Sequence, residues 1–493
     1  MDEESVSTVL RTLGEVRRLP LDDPDRLRIE HVALALIRDG QRRRKRARGR
    51  ASAEADAAVL AATAMGEAGR VIDAPVTEGQ VAKPQGEETE KPSAKIGKEV
   101  PGEAGELRRA RICYVCKGRF TRVGGLYHLL CPSCAASNTA RRTARADLSG
   151  RRALVTGGRT KIGHQLALMM LRDGAHVTVT TRFPADAVRR FAGTGDWAGR
   201  LEVVGIDLRD PRQVVALGDR FLSAGDPLDI LVNNAAQTLR RPASAYAALV
   251  EGERAALPPG ASAVPGFVPG LLTSSPGDGG WGPPVSVPGD AAWGLPGLPT
   301  SPSDDVVGDP RGLPVPRCED AAPGLPDVSG LLPDLSARNS WSARIGEVDP
   351  AEVLEVQLVN AVAPFLLIDR LLPLLLAAPS TRRYIVNVSA VEGQFAVANK
   401  TGRHPHTNMA KAGLNMLTRT SAADLARRGV YLCSVDTGWI TDENPVPLRD
   451  RLDRRTPLDV IDGAARVYDP IVRGEAGDPV HGVFLKDYME APW

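Results

Sequence analysis

Apolar residues recur along the chain at two different spacings, and the spacings predict two kinds of region. Residues 1–68 follow a helical period, seen for example at Val9 and Leu13, and are predicted to form a helical segment. In residues 148–237 and 345–493, short runs of β-branched residues alternate with helical patterns. This alternation predicts an α/β fold built on a doubly wound parallel sheet.

Two segments interrupt the pattern because they contain few large apolar residues. Residues 69–107 are rich in Glu, Lys, Gly and Pro and are predicted to be a disordered linker. Residues 238–344 are a Pro/Gly-rich insertion. Neither helices nor sheet interiors accept proline at the density found in residues 258–333, so this part is predicted to be mostly disordered. Without that insertion, the two α/β pieces together have 239 residues, the size of one doubly wound domain.

Charge is nearly balanced over the whole chain but not locally. The formal net charge is +2, which excludes a whole-chain electrostatic signature of nucleic-acid binding. Residues 42–50, however, are almost all Arg or Lys and end the second predicted helix. They are either a solvated helix end, whose cations complement the helix dipole, or a patch for nucleic acid or another polyanion. A nucleic-acid or protein partner would then bind this basic N-terminal third.

The sequence also predicts where the protein is found. No run of about 18 apolar residues occurs, so no membrane-spanning helix is expected; the longest apolar run, 361–378, is interrupted by Asp369 and Arg370. The N-terminus is acidic and lacks the apolar core of a secretory signal. We therefore expect a cytoplasmic protein without a membrane partner.

Four cysteines form two C-x-x-C pairs within residues 109–140: Cys113, Cys116, Cys131 and Cys134. Thiolates at this spacing can hold one tetrahedral zinc ion, and a site with four cysteine ligands is structural because no position is left for water. The module resembles a zinc ribbon or treble-clef finger. The alternative is four unrelated free cysteines. Basic residues flank the module, so it is expected either to touch nucleic acid or to dock on the α/β domain.

A glycine-rich turn follows the first buried strand and reads Thr156-Gly157-Gly158-Arg159-Thr160-Lys161-Ile162-Gly163. In such turns, backbone N–H groups approach a pyrophosphate at a helix N-terminus. With the landmarks that follow it in order, the turn resembles the short-chain dehydrogenase/reductase family. The family pattern T-G-x-x-x-G-x-G is matched at Thr156, Gly157 and Gly163, and its middle glycine is Lys161.

The resemblance implies a Rossmann-like dinucleotide site. After the second strand, where NAD enzymes carry an acidic residue, the chain has Thr181 and Arg182. Together with Arg159 in the first turn, Arg182 favours the 2′-phosphate of NADP over NAD. A Rossmann-like fold that no longer binds cofactor is the alternative. The implied cofactor-binding positions are Thr156, Gly157, Arg159, Lys161, Ile162, Gly163, Arg182, Asp207, Leu208, Asn234, Ala235, Lys411, Thr437 and Gly438.

The catalytic set implied by the family is only partly present. Asn360, in a helix predicted from Leu354 to Leu367, Ser389 at a strand end, and Lys411 match three of its four members. The fourth, a tyrosine, is Thr407, whose hydroxyl is too weak an acid to replace it directly. His406 is the replacement acid or base that we consider; a loop or capping role is the alternative. We expect the following helix to open at Lys411 and end at Arg427.

Two functions from different classes follow. The first is an NADP(H)-dependent oxidoreductase with atypical proton chemistry, acting on a small-molecule carbonyl or alcohol that the sequence does not identify. The second is a non-catalytic NAD(P)-binding sensor or scaffold whose zinc module contacts a partner. We also expect a homo-oligomer.

Overall fold

A computed structural model describes residues 2–76, 102–255, 257, 324–452 and 455–493. The chain divides into two compact units, Met1–Ala68 with Pro101–Pro132 and Gly69–Val100 with Ser133–Trp493. Most of the predicted linker and of the insertion lies outside the described residues, so the disorder expected there stays a prediction.

The first unit consists of two helices and a β-hairpin. Asp2 and Asp23 accept backbone hydrogen bonds at the two helix starts, as N-caps do. None of the apolar side chains of the first helix is buried. The elements are α1 (Glu3–Val16), α2 (Pro24–Ala61), β1 (Gly105–Ile112) and β2 (Arg119–Val123).

The second unit is built on an eight-stranded sheet. Its strands are β3 (Arg152–Thr156), β4 (His176–Thr181), β5 (Leu201–Gly205), β6 (Ile230–Asn233), β7 (Arg383–Ser389), β8 (Val430–Asp436), β9 (Phe484–Lys486) and β10 (Met489–Ala491). Their order is β10-β9-β8-β7-β6-β3-β4-β5. All neighbours are parallel except the edge pair β9–β10. The α/β doubly wound sheet is thus confirmed.

Helices cover both faces of this sheet. They are α3 (Pro132–Arg142), α4 (Lys161–Arg172), α5 (Pro184–Ala192), α6 (Pro211–Ala224), α7 (Ala247–Glu253), α8 (Pro350–Gln357), α9 (Ala363–Ala377), α10 (Pro405–Arg427), α11 (Val446–Leu452) and α12 (Val460–Glu475). One apolar cluster lies where α4 and α12 pack on the sheet. The other lies on the opposite face under α6, α9 and α10.

The strand order places a cleft at one point of the sheet. After β5 the chain returns to the far side of β3 to form β6, so the order reverses between β3 and β6. Ligands of doubly wound sheets bind beyond the carboxyl ends of the strands at such a switch point.

The helix run Pro350–Ala377 is long and apolar enough to cross a membrane by length and composition alone, and half of its most apolar window is buried. In this fold the run packs against the sheet and α6. One such helix is weak evidence for a membrane span, because buried core helices pass the same test.

The described ends of the 238–344 segment take part in the second unit. Glu253 at the end of α7 accepts hydrogen bonds from the first backbone N–H groups of α5. Further along, Leu332 donates its N–H to the carbonyl of Ala245. The segment therefore begins and ends as folded chain against the cleft side of the sheet.

Candidate dinucleotide cleft

A cleft of about 510 Å³ lies over the carboxyl ends of β3, β4 and β6. Its floor is the glycine-rich turn between β3 and α4. Its walls come from the ends of β4, β5 and β6, from residues 327–334 of the insertion, and from residues 441–449. Of the cofactor-binding positions predicted from the sequence, the cleft is lined by Gly157, Arg159, Lys161, Ile162, Gly163, Arg182, Asp207, Leu208, Asn234 and Ala235.

The turn is packed so tightly that glycine is required at its end. A Cβ atom on Gly163 would lie 2.3 Å from the carbonyl oxygen of Gly157 and 2.5 Å from Nδ2 of Asn234. Asn234 donates that amide to the carbonyls of Thr156 and Gly157 at 2.9 and 3.2 Å. Thr156 in turn accepts the N–H of Ala235 at 3.0 Å. These hydrogen bonds hold the glycine-rich turn in place before α4, where backbone N–H groups can bind a pyrophosphate.

Lys161 has a backbone conformation that favours glycine. Its φ is +53°, in the left-handed region that costs a side chain roughly 1–2 kcal/mol. Its ammonium group pairs with Asp73 at 2.9 Å. Burial lowers the pKa of Lys161, but Glu443 and Asp73 outweigh this and raise it. The pKa of Asp73 is also raised, because its burial outweighs the attraction of Lys161.

The two arginines predicted to select the cofactor, Arg159 and Arg182, have different interaction partners. Arg159 pairs with Asp186 at 2.6 Å and donates to the carbonyl of Ser329 at 2.7 Å. Arg182 lies over the ring of Tyr246, 4.8 Å from its centre, and forms no salt bridge with any residue that the structure describes. It also donates to the hydroxyl of Tyr246 at 3.3 Å. Arg182 is therefore the one of the two arginines whose charge is not paired with a described carboxylate.

Asp207, one of the predicted cofactor-binding positions, forms a salt bridge with a neighbour. Arg209 holds both of its carboxylate oxygens, the closest at 2.6 Å. Burial would raise the pKa of Asp207, but the hydrogen bond from Arg209 lowers it below its ordinary value. The carboxylate thus stays charged at the cleft wall.

Asn360 sits in an irregular helical turn. The predicted helix Leu354–Leu367 is in fact α8 and α9 joined by a π-helical turn, Leu358–Val362. Such turns are frequent at functional sites. The amide of Asn360 accepts the N–H of Gln237 at 2.7 Å and donates to its carbonyl at 2.9 Å. Asn360 therefore fixes the chain just after β6.

Ser389 points away from the cleft. Its hydroxyl lies 2.6 Å from Oδ1 of Asn415 on α10 and donates to it, and the residue is 2% exposed. Side chains alternate along a strand, and Asn387 likewise donates to Thr418 of α10 at 2.9 Å. The next residue, Ala390, carries no hydroxyl.

Lys411 and Thr407 share one face of α10 and are both buried. The ammonium group of Lys411 donates to the carbonyl of Val388 at 2.8 Å. Burial lowers its pKa to about 8, against a smaller raising effect of Glu392. The hydroxyl of Thr407 has no hydrogen-bond partner among the described residues.

His406 lies inside a helix rather than before one. The expectation that the helix opens at Lys411 is wrong, because α10 begins at Pro405 and His404 is its N-cap with φ +39°. The ring of His406 is buried, and its Nε2 lies 3.6 Å from Glu352 of α8. Neither ring nitrogen has a hydrogen-bond partner in the described part of the chain.

The remaining predicted positions lie at the end of β8. Gly438 has φ +81° and donates its N–H to Asp436 at 3.0 Å. Thr437 beside it is half-buried. The segment that lines the cleft comes slightly later, within residues 441–449.

The unpredicted residues of the cleft include Asp73, Ser329 and Tyr246. Asp73 and Ser329 fall in segments predicted to be disordered, and each has a buried oxygen without a partner among the described residues. Tyr246 belongs to no sequence motif. It is one of only seven tyrosines in the chain and lies near the start of the insertion. An aromatic residue there was the only available sign.

The four predicted zinc ligands come together. Their sulfur atoms all lie within 4.8 Å of one another, and Sγ of Cys116 and Cys131 are 3.7 Å apart. Tetrahedral zinc with bonds of about 2.3 Å places its sulfurs about 3.8 Å apart. The residues present therefore fit a zinc ion.

Two family models match the chain on either side of the insertion. A short chain dehydrogenase model matches residues 151–249, and an enoyl-(acyl carrier protein) reductase model matches residues 330–457.

Several known proteins are similar to the chain. An uncharacterized protein of Acanthamoeba polyphaga mimivirus is 31% identical over 385 residues, covering 73% of this chain and 71% of that protein. A probable oxidoreductase of Streptomyces antibioticus is 42% identical over 92 residues, covering 18% of this chain but only 30% of that protein. A metagenomic short-chain oxidoreductase solved with NADP is 18% identical with a TM-score of 0.40, covering 71% of this chain and 99% of that one.

The matched segments contain the glycine-rich turn, the Asn234 brace, Asn360, Ser389 and Lys411, in the order that the sequence resemblance requires. Residues 151–249 and 330–457 are thus similar to the short-chain dehydrogenase/reductase family.

Proposed function

We propose that the chain is an NADP(H)-dependent oxidoreductase that acts on a small-molecule carbonyl or alcohol. The observation that supports this most directly is the cleft at the switch point. It contains the hydrogen-bonded glycine turn and, just after β4, Arg182, which forms no salt bridge with a described residue. NADP(H), when bound, supplies or accepts the hydride. The residues of the cleft hold the dinucleotide, and another group of the chain must move the proton.

The preference for NADPH over NADH tests whether the cleft binds the cofactor as proposed. A charge-assisted contact is worth roughly 1.5–3 kcal/mol, so NADPH should bind roughly ten- to a hundred-fold more tightly than NADH. Arg182→Ala should abolish that preference while leaving NADH affinity nearly unchanged. Arg427→Ala, which removes an exposed arginine on α10, is the matched control. Fluorescence titration of the three proteins with both cofactors measures the six affinities. Equal affinities in the unaltered protein would reject NADP selection.

His406 and Glu352 supply a candidate for the proton step. A histidine oriented by a carboxylate is the arrangement used in nucleophile activation and general base catalysis. Glu352 is itself held by the hydroxyl of Ser340 at 2.5 Å and the N–H of Arg240 at 3.0 Å. The 3.6 Å separation of Glu352 and His406 is of the loose kind that tightens when ligands bind.

A second candidate function, an NAD(P)-binding sensor or scaffold without turnover, is favoured by one observation. The hydroxyl of Ser389 is donated to Asn415, and Ser389, Lys411 and His406 are not among the residues that line the cleft. In that function, the chain would bind the oxidised or reduced cofactor without turnover, and a partner would recognise the bound form.

Turnover separates the two functions. A panel of carbonyl substrates is offered with NADPH, and loss of nicotinamide absorbance is followed. His406→Ala should lower turnover roughly 10²–10⁴-fold with nearly unchanged NADPH affinity. Thr407→Tyr, which restores the family motif, should raise it.

Thermal unfolding checks both variants, because Thr407 is 2% exposed and a larger side chain must find room. Turnover that survives His406→Ala would exclude histidine. NADPH binding without turnover in any variant would favour the sensor.

We also propose one structural zinc ion per chain, held by Cys113, Cys116, Cys131 and Cys134. The sulfur spacing supports it, and four thiolates leave no open position for catalysis.

A further inference from the structure

The basic tract of residues 42–50 lines a groove in the first unit. The groove has a volume of about 490 Å³ and is lined by Gln41, Arg44, Lys45, Arg48, Gly49 and Arg109. The first four are spaced i, i+3, i+4 and i+7 along α2, so they share one helix face. Arg109 comes from β1. We call this surface the basic groove.

The fold holds the two sides of the basic groove together. Asp56 of α2, only 7% exposed, accepts the N–H of Arg108 on β1 at 2.6 Å. The guanidinium of Arg109 lies 3.7 Å from the point that a Cβ on Gly49 would occupy. Arg109 therefore lies directly beside the helix at Gly49. The basic side chains of the groove are therefore carried by a helix and a strand that pack together, and not by a loop.

The positive charge of the basic groove is not offset. No Asp or Glu occurs between residues 40 and 53, and Arg43, which pairs with Asp39 at 2.7 Å, does not line the groove. Arg44, Lys45, Arg48 and Arg109 form no salt bridge within the described ranges of the chain. Like charges four residues apart, such as Arg44 and Arg48, destabilise a helix by roughly 0.2–0.5 kcal/mol per pair. An anionic partner would remove that cost.

We propose that the basic groove binds the phosphodiester backbone of double-stranded nucleic acid. Arginine binds phosphate through paired N–H donors, and such contacts carry no sequence information. The groove-lining residues include no aromatic side chain, which a single-stranded ligand would need for base stacking.

The helix does not have the form of a membrane-surface helix. Its exposed apolar residues, such as Val32, Leu34 and Ile37, point in different directions around the axis. An interfacial helix would gather them on one face. Charge without an apolar face therefore favours a nucleic-acid backbone over a lipid surface.

Salt dependence of binding by the full-length protein tests the proposal. Fluorescence anisotropy is measured with labelled duplexes of mixed sequence, one of DNA and one of RNA. Four phosphate contacts predict a slope of log K against log salt of about −3.6, or a roughly 150-fold loss between about 50 and 200 mM salt. Binding of either duplex with this slope supports the proposal, and its independence from sequence is part of the expected result.

Matched variants locate the site. Arg44→Ala/Arg48→Ala should lower the slope by about half, and Arg109→Ala by about a quarter. Arg46→Ala/Arg50→Ala removes the same charge from α2 outside the groove and should change the slope little; alanine favours the helix in each case. Three results would overturn the proposal: no duplex binding at low salt, an equal loss in the control variant, or tighter binding to single strands or to anionic lipid vesicles.

Discussion

Two lysines of the second unit show how neighbours decide the charge of a buried ammonium group. Lys161 is surrounded by carboxylates, and its pKa is raised despite burial. Lys411 has the carbonyl of Val388 as its hydrogen-bond acceptor, and burial lowers its pKa to about 8. The first lysine stays charged at neutral pH. The second lies near the range in which a lysine can exchange a proton.

Because the pKa of Lys411 is lowered, the free energy of unfolding should change with pH in the alkaline range. Between about pH 8 and the ordinary value near 10.5, the unfolded chain binds a proton that the folded chain has released, so stability rises with pH. The difference in unfolding free energy between the unaltered protein and Lys411→Met should be flat below about pH 8. Above it, the difference should rise by about 1.4 kcal/mol per pH unit.

Urea unfolding at a series of pH values measures this difference. Lys45→Met, at an exposed lysine of α2, should show no such rise. A difference that stays flat to about pH 10 would mean that Lys411 keeps its ordinary pKa.

At the scale of elements, the segment of residues 69–76 crosses the phosphate end of the cleft. Arg70 donates to the carbonyls of Thr456 and Leu458 at 3.0 and 3.1 Å, and the N–H of Val76 donates to Asp459 at 2.7 Å. These contacts hold Asp73 against Lys161, where a pyrophosphate is expected. A dinucleotide must therefore share Lys161 with Asp73 or displace it.

Removing that carboxylate should strengthen cofactor binding. Asp73→Asn keeps the shape of the side chain but deletes a negative charge beside the pyrophosphate site. NADPH affinity should rise several-fold at low salt, and less at high salt because screening weakens the repulsion. Calorimetric titration measures it, with Asp369→Asn, an exposed carboxylate on α9, as the control. Weaker binding in Asp73→Asn would show instead that Asp73 orients Lys161 for the ligand.

The cysteine module should depend on its metal. Four thiolates at this spacing predict about one zinc equivalent per chain by elemental analysis, and removal of zinc should unfold the module. Cys116→Ser should lower the zinc content, whereas Cys433→Ser, at a buried cysteine of β8, should not. A folded module without metal under reducing conditions would contradict the proposal.

For the molecule as a whole, the sequence predicted those features that depend on short stretches of chain. Alternating patterns predicted the parallel sheet, and the spacing of Gly157 and Gly163 predicted the turn that lines the cleft. The start of α10 was misplaced, although Pro405 is a residue typical of the first helical position. That proline was the available sign.

Other features depend on residues far apart in the chain and leave no local pattern. The pleat of β7 directs the hydroxyl of Ser389 toward Asn415. A serine at the family's motif position therefore did not establish which way its side chain points. Asp73 meets Lys161 because distant acceptors near Asp459 hold its segment. Such pairings follow from packing, which spacing alone does not encode.

The insertion also has a consequence for how the chain folds during synthesis. Strand β7 must pair with β6, yet 149 residues lie between Asn233 and Arg383. At roughly 5–20 residues per second, a ribosome needs about 7–30 s to make them. During that time the open side of β6 has no neighbouring strand, and an unpaired edge invites association with other chains. The half-made sheet is therefore the stage at which this protein is most vulnerable to aggregation, and slower translation of the insertion would lengthen it.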